Sequence, residues 1–297
     1  MTRTLTLIVI LLTVPLIGTT AKTRPKPNEE GGKSAIKCPR QKTLKKRGIA
    51  ACPDTGCGAS LDPLLNQQKN ITEGDPDTAR HMNFADFAAI SNKVEGYDGI
   101  GFPRTKVKEQ GEGEMVRVVA WALDSRPEKT RKDKKTGKLK KGESCNCGFT
   151  GIKDPRNTDV HIVLVNDDTL KLTAKATPQR KPSKRNPKGV AARSAAINTL
   201  RLREAQSQTA EYTPRVRVSR GEDFDGSKLK KLIGPPGGAL KVRVIGVLLY
   251  DSEHALGPFK LLRQSDWEIH PVFRLEFCPK NKACADEGTA NWVDINK

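Results

Sequence analysis

The sequence predicts a mainly β protein built on a small antiparallel barrel of five strands, with one short helix between the third and fourth strands. Two observations support this prediction. Five segments are rich in Val, Ile, Leu and aromatic residues and show stretches of period-two alternation, and one helix-like segment interrupts them. The strand segments are residues 114–124, 159–165, 211–219, 239–251 and 267–278, and the helix segment is 225–233.

The order β-β-β-α-β-β is that of the oligonucleotide/oligosaccharide-binding barrel, the OB-fold. In that barrel, strand one lies beside strands two and four, and strand three lies beside strand five. We therefore expect Glu211 on strand three to neighbour His270 on strand five. His161, on strand two, is expected to reach them only across an end of the barrel or a cleft.

The N-terminus has the pattern of a secretory signal peptide over residues 1–21. Arg3 supplies the positive region, residues 5–18 the apolar region and residues 19–21 the small-residue cleavage site. The apolar run is short for a transmembrane helix, and no later run in the mature chain is long enough to span a bilayer. We expect a secreted or periplasmic protein that begins near Lys22.

The mature chain divides into four kinds of segment by composition. A tail poor in apolar residues is predicted to be disordered, and a small helical subdomain follows it, with Asn83 as one helix cap. The barrel itself carries two basic insertions. The tail is residues 22–48, the helical subdomain 49–110 and the barrel 111–297, with insertions at 126–142 and 171–208.

Positive charge is concentrated in three tracts, at residues 22–48, 126–142 and 171–203. They hold 29 of the 52 Lys and Arg residues other than Arg3, but only 4 of the 34 acidic residues. The rest of the chain carries 23 basic and 30 acidic residues, so the folded part is mildly acidic. Such tracts attract nucleic acid, acidic glycans or anionic lipids. The alternative is a solvated tail without a partner.

The cysteine content predicts disulfides in an exported chain. Cys278 and Cys284 are close enough to close a local loop, and Cys52 could bridge to Cys57 in the same way. The Cys-Asn-Cys segment competes for these partners, and Cys38 is then the odd cysteine. A four-thiolate zinc site is the alternative. Its ligands would be Cys52, Cys57, Cys145 and Cys147.

Polar residues interrupt the apolar pattern of the strands. Three of the four histidines lie in or beside strands, each within two positions of a carboxylate. Histidine and carboxylates are ligands for zinc and act as general acid–base pairs, although polar residues also line the solvent face of ordinary sheets. The predicted ligand-binding residues are Asp159, His161, Glu211, Arg215, Glu253, His254, Trp267, Glu268 and His270.

Four of these segments resemble those of exported, largely uncharacterised bacterial proteins, over roughly residues 50–280. They are residues 158–162 (TDVHI), 211–215 (EYTPR), 251–254 (DSEH) and 267–271 (WEIHP). The strand order is also similar to that of thermonuclease-like OB barrels, which are secreted and bind nucleic acid. The chain differs from them in lacking an Arg/Asp/Glu signature around the helix.

Together these patterns predict an exported OB-like protein that binds a polyanion, with nucleic acid ahead of acidic glycan. One alternative is a metal-dependent hydrolase or nuclease that uses His161, His254 and His270 with neighbouring acids, and Arg215 or Arg217 to stabilise an anionic transition state. Another alternative is an envelope-associated scaffold. Convergence of the histidines would favour the hydrolase, and scattered histidines beside a basic groove would favour the binding protein.

Overall fold

The computed structural model describes residues 38–57, 62–91, 94, 103–128, 143–148, 155–172, 197–254 and 263–297. The strands are β1 (Arg80–His81), β2 (Met115–Pro127), β3 (Val160–Val165), β4 (Gln208–Tyr212), β5 (Leu240–Tyr250), β6 (Trp267–Phe277) and β7 (Val293–Asp294). The helices are α1 (Gln41–Arg47), α2 (Pro63–Lys69), α3 (Phe84–Ser91), α4 (Thr105–Lys108), α5 (Asp167–Lys171), α6 (197–204), α7 (Pro214–Ser219) and α8 (Ser227–Ile233). Short 3₁₀ turns lie at Gly48–Ala51, Pro76–Thr78, Pro155–Asn157 and Ser252–His254.

Five strands close into a barrel in the order β2-β3-β4-β6-β5, with β5 pairing back to β2. This is the strand order of an OB barrel, and α8 lies between its third and fourth strands as predicted. The expectation of an antiparallel barrel is wrong at one pair, because β4 and β6 run parallel. A crossover through α8 and β5 separates these two strands, so they can run in the same direction.

Alternation along the strands builds the barrel core. Inward positions such as Val160 and Ile162 on β3 are fully buried in one hydrophobic cluster that all five barrel strands share. The intervening residues point to the outer face because successive side chains alternate. Four of the five predicted strands match the structure to within three residues at each end.

The prediction fails for the third strand, which ends at Tyr212 instead of Ser219. Helix α7 follows, with Thr213 at its N-cap and Pro214 at its first position. Proline has no N–H for a strand ladder, and its fixed φ suits the first turn of a helix. The Val-Arg-Val-Ser sequence within α7 imitates strand alternation, but Val218 is exposed.

The N-terminal part packs on the barrel. Phe84 and Phe87 of α3 belong to the barrel's hydrophobic cluster, and Asn83 caps α3 by accepting hydrogen bonds from the Ala85 and Asp86 N–H groups. Helix α1 lies inside the tail predicted to be disordered through residue 48, because its Leu44 is buried beside Ile49. Residues 1–37, 129–142 and 173–196 lie outside the described part. Within the described part, no helix has the length and apolar character to cross a membrane.

Two disulfides are present. Cys278 pairs with Cys284, the local bridge expected from the sequence. Cys52 pairs with Cys147, 95 residues away, so the expected Cys52–Cys57 bridge is wrong. The four-thiolate zinc site is also wrong, because this disulfide uses two of its four cysteines. The fold carries the loop at residues 143–148 onto the turn at 52–57, where Gly56 permits close contact: a Cβ there would lie 2.2 Å from the Ser144 carbonyl oxygen.

Candidate metal centre

Three polar side chains form a row across the outer face of β3, β4 and β6. His161 on β3 is directly opposite Glu211 on β4. Ala210 pairs with Ile269 in the parallel β4–β6 ladder, so the next residues along, Glu211 and His270, are also neighbours. Since Ala210 and Ile269 point into the core, the row lies on the opposite face.

Glu211 bridges the two histidines. Its Oε1 lies 3.1 Å from Nδ1 of His161, and its Oε2 lies 3.1 Å from Nδ1 of His270. The same Nδ1 of His270 is 3.0 Å from Oε1 of Glu268. The expectation that His161 reaches His270 only across a barrel end or a cleft is wrong, because β4 pairs with both β3 and β6 and places a shared carboxylate between the two rings.

Charges within the row shift the pKa values in opposite directions. Burial alone would lower the pKa of His270, but the Glu211 and Glu268 carboxylates raise it to about 10. Burial likewise opposes protonation of His161, yet Glu211, Glu128 and Glu143 raise the pKa of His161 well above its usual value. Burial would raise the pKa of Glu211, but the two histidines hold it far below the ordinary value.

The other nitrogen of His161 faces two further carboxylates at the mouth of the site. Its Nε2 lies 3.1 Å from Oε2 of Glu128 and 3.6 Å from Oε1 of Glu143. The three side chains are 26%, 39% and 21% exposed, for His161, Glu128 and Glu143 respectively. This part of the row is therefore open to solvent.

These distances suit one bound metal ion. Two ligand atoms about 2.1 Å from a tetrahedral ion lie about 3.4 Å apart, and the two observed distances bracket that value. Glu128, Glu143 and His161 each offer a ligand atom within 4.8 Å of the others. Three protein ligands with a fourth position for water or substrate is the pattern of catalytic zinc sites.

A second group lies deeper, behind Glu143. Sγ of Cys145 is 3.6 Å from Oδ2 of Asp159, and Asn146 donates hydrogen bonds from Nδ2 to both Glu143 and Asp159. Burial, followed by the charge of Asp159, raises the pKa of the Cys145 thiol well above its usual value. Burial and the charge of Glu143 likewise raise the pKa of Asp159.

Cationic side chains close the far side of the row. Nη1 of Arg263 lies 2.9 Å from Oε2 of Glu268, and its Nη2 lies 3.3 Å from Asp251. Nζ of Lys69, on α2, is 3.4 Å from the other oxygen of Asp251. All four side chains are almost fully buried, so this network compensates the carboxylates that burial would otherwise destabilise.

The N-terminal segment covers the site and holds the loop at 143–148. Asn66 donates a hydrogen bond to Oγ of Ser144, and Asn70 donates one to the carbonyl of Cys145. The Cys52–Cys147 disulfide ties the same loop to the turn beside α1. The positions of Glu143 and Cys145 therefore depend on residues far away in the sequence.

The structure brings together five of the nine predicted residues: Asp159, His161, Glu211, Glu268 and His270. Arg215 lies on α7 and its guanidinium donates to the carbonyl of Cys52. Trp267 points into the barrel and packs edge-on against Tyr250. Glu253 lies at the margin, 4.0 Å from Lys69, and the side chain of His254 lies outside the described part of the structure.

Several site residues escaped the sequence prediction. Glu128 lies inside a basic tract and Glu143 directly follows it, where isolated acids are typical of solvated surface. Cys145 was assigned to disulfides or zinc by its type alone, and Lys69 lies on a helix with no visible link to the strands. The nearest signal was the Glu-Ser-Cys-Asn-Cys segment at 143–147, which places an acid and thiols immediately after the basic tract.

The centre occupies the ligand-binding position of an OB barrel. In that fold, ligands bind on the face of strands two and three, between the loop joining strands one and two and the loop joining strands four and five. Here the corresponding strands are β3 and β4. Asp159 comes from the first loop and Arg263 from the second.

Fold and site thus define a closed barrel of OB order with a histidine–carboxylate centre on the outer face of β3, β4 and β6. Comparisons with protein-family models, with curated proteins and with solved structures found no match to this chain.

Proposed function

We propose that this protein is a metal-dependent hydrolase that cleaves phosphodiester bonds in a polyanion. The observation that supports it best is the orientation of His161. Its Nδ1 is held by Glu211, and its Nε2 faces Glu128 and Glu143. Metal-binding histidines characteristically donate one ring N–H to a carboxylate and bind the ion with the other nitrogen.

An ion at His161, Glu128 and Glu143 would bring a water to its open position and lower the pKa of that water. The water oxygen would add to phosphorus, the bond from phosphorus to the leaving oxygen would break, and that oxygen would take up the proton that the water loses. The three ligands are partly exposed, so a phosphodiester would approach the reacting position from the mouth of the site.

The basic tracts support a polyanionic substrate. The tract at 126–142 directly precedes the loop that carries Glu143, and the tract at 171–203 follows β3, which carries His161. The acidic centre would repel a free anion, and the positive charge of the two tracts that flank β3 in the sequence would offset that repulsion and raise the local concentration of the substrate. Nucleic acid, whose backbone is made of phosphodiesters, is the proposed substrate class.

The test combines metal content with turnover. Full-length protein is stripped with chelator, dialysed against Zn²⁺, Co²⁺ or Mn²⁺, and analysed for bound metal and for cleavage of single-stranded DNA, RNA and a phosphodiester reporter. We expect stoichiometric metal and metal-dependent cleavage. His161→Ala should weaken metal binding by at least about 100-fold, because it removes a ligand and not merely a supporting group.

His81→Ala is the matched control, since His81 is an exposed histidine on β1, away from the row. It should bind metal and cleave like the parent protein. Absence of stoichiometric metal from the parent, or equal effects of the two substitutions, would overturn the proposal.

A binding protein for the same polyanions is the second candidate. It is favoured by the location of the centre on the strands that bind ligands in OB barrels, and by the two basic tracts that precede and follow β3 in the sequence. Replacing the Lys and Arg residues at 129–141 and 175–193 by Gln should weaken oligonucleotide binding and flatten its salt dependence, because fewer phosphates are neutralised. Strong binding without cleavage under any metal would select this candidate over the hydrolase.

Export is part of both candidates. The signal-like residues 1–21 and the two disulfides support a secreted or periplasmic location. Mass spectrometry of the protein from culture medium or periplasm tests it: the mature chain should begin near Lys22, and a cytosolic chain that retains its N-terminus would contradict it.

A further inference from the structure

We infer that Cys145, Glu143 and Asp159 form a second metal position beside the first, and that Glu143 bridges the two ions. This inference extends the proposed function, which requires only the ion at His161. The three side chains each offer a ligand atom within 4.8 Å of the others. Glu143 and Asp159 also belong to the two neighbouring groups, so the ligand sets overlap through shared carboxylates.

The geometry around Cys145 suits a thiolate-bound ion. A tetrahedral zinc ion with its sulfur ligand at about 2.3 Å and its oxygen ligand at about 2.1 Å would hold these two atoms about 3.6 Å apart. Sγ of Cys145 and Oδ2 of Asp159 are 3.6 Å apart. Both side chains are buried, and the loop that carries Cys145 is anchored by the Cys52–Cys147 disulfide.

Glu143 is oriented as a bridging ligand. Its Oε1 faces Nε2 of His161 at 3.6 Å, and its Oε2 faces Sγ of Cys145 at 4.0 Å. One oxygen is therefore directed toward each position. In two-metal hydrolases the ions lie about 3.5–4 Å apart and stabilise both the attacking and the leaving oxygen, and a carboxylate that ligates through both oxygens spans such a distance.

One buried polar atom points independently to a cation. Oδ1 of Asp159 has no hydrogen-bond partner among the described residues, and the Asp159 side chain is fully buried. A buried polar atom without a partner costs free energy, and a metal ion beside Asp159 would compensate that cost. Since thiolate is a soft ligand, the position should prefer Zn²⁺ or Co²⁺ over Mg²⁺.

The experiment is a Co²⁺ titration of metal-free, full-length protein, followed by absorption spectroscopy. We expect two equivalents of Co²⁺ and a thiolate-to-cobalt charge-transfer band that grows with only one of them. Cys145→Ser should abolish the band and one equivalent, while His161→Ala should keep the band and lose the other equivalent. Cys57→Ser, at the other buried cysteine outside the disulfides, should change neither.

Glu143→Gln serves as a second variant, because it retains the hydrogen-bonding shape of the side chain. The Glu143→Gln variant should bind both equivalents of Co²⁺ more weakly, because Glu143 would ligate both ions. A band that survives in Cys145→Ser, or a Cys57–Cys145 disulfide in non-reduced peptide maps, would overturn the second position. One equivalent without a thiolate band would also overturn it and leave the hydrolase proposal standing. Two equivalents of bound Co²⁺ with a thiolate band, but without cleavage, would support the second position and overturn the hydrolase proposal.

Discussion

The two faces of the barrel use the same strands for opposite purposes. On the inner face, Ile162 and Ala210 pack in a continuous apolar core. One residue away, His161 and Glu211 belong to a charged row whose partner His270 is fully buried. Barrel closure buries the inner face, whereas the N-terminal segment and its long-range disulfide cover the outer one.

This contrast indicates that the inner face stabilises the protein through the volume of its apolar side chains, whereas the outer face depends on each charged side chain keeping its partner. An apolar side chain shortened by a methyl group loses contacts in proportion to its size. A buried charge that loses its partner leaves an uncompensated charge in a medium of low polarity. The two faces should therefore respond differently to small substitutions.

The largest effect is expected from the disulfide that holds the outer cover. Replacing both Cys52 and Cys147 by Ser should lower the free energy of unfolding by roughly 4–5 kcal/mol, because the bridge closes a long loop. The same change at Cys278 and Cys284, 6 residues apart, should cost roughly 2 kcal/mol. Urea unfolding of both double variants measures the difference. Equal losses would mean that the long bridge does not constrain the unfolded chain as argued.

The next effect concerns the bridge between the histidines. Glu211→Gln should destabilise the metal-free protein by about 3–5 kcal/mol at neutral pH, because it leaves the fully buried His270 imidazolium and the partly buried His161 imidazolium without their shared carboxylate. Glu114→Gln is the control: its pair with Arg80 is half exposed and should contribute less than about 1 kcal/mol. Thermal and urea unfolding compare them, and a Glu211→Gln variant as stable as the control would contradict a charged row.

A smaller effect separates the faces on one strand. Ile162→Val should cost about 0.5–1.5 kcal/mol through lost core contacts, and it should leave metal binding unchanged. His161→Ala, at the adjacent outward position, should abolish metal binding at the mouth. Metal titration and urea unfolding of the two variants test this separation. Loss of metal binding in Ile162→Val would show that the faces are coupled.

The smallest effect lies outside both faces, at the start of α8. Burial opposes ionisation of Asp225, but the hydrogen bonds from Ser227 together lower the pKa of Asp225. The ionised Asp225 side chain therefore stabilises the folded protein above the pKa that Asp has in the unfolded chain, about 3.9. This stabilisation is lost as the pH falls through the lower pKa that Asp225 has in the folded protein. Asp225→Asn should flatten the loss of stability below about pH 4 in thermal unfolding. If the variant lost stability at acid pH as steeply as the parent protein, this prediction would be wrong.

The sequence predicted the barrel because its signals are local. Alternation is visible within each of the strands β2, β3, β5 and β6, and the position of α8 selects the OB order. Alternation also placed polar residues such as His161 and Glu268 on the face opposite the core. It failed at Pro214, where a run of alternating residues folds as a helix because proline cannot continue the ladder.

Only the tertiary structure decided how the centre is assembled. Strand pairing set Glu211 between His161 and His270, and the fold of the N-terminal segment brought Lys69 to Asp251 and Cys52 to Cys147. Contacts between residues so far apart leave no periodic signal in the chain, because they depend on which surfaces the folded elements present to each other. The sequence by itself thus determined the barrel and the polar strand positions, and long-range packing determined that those positions meet in one buried, charged centre.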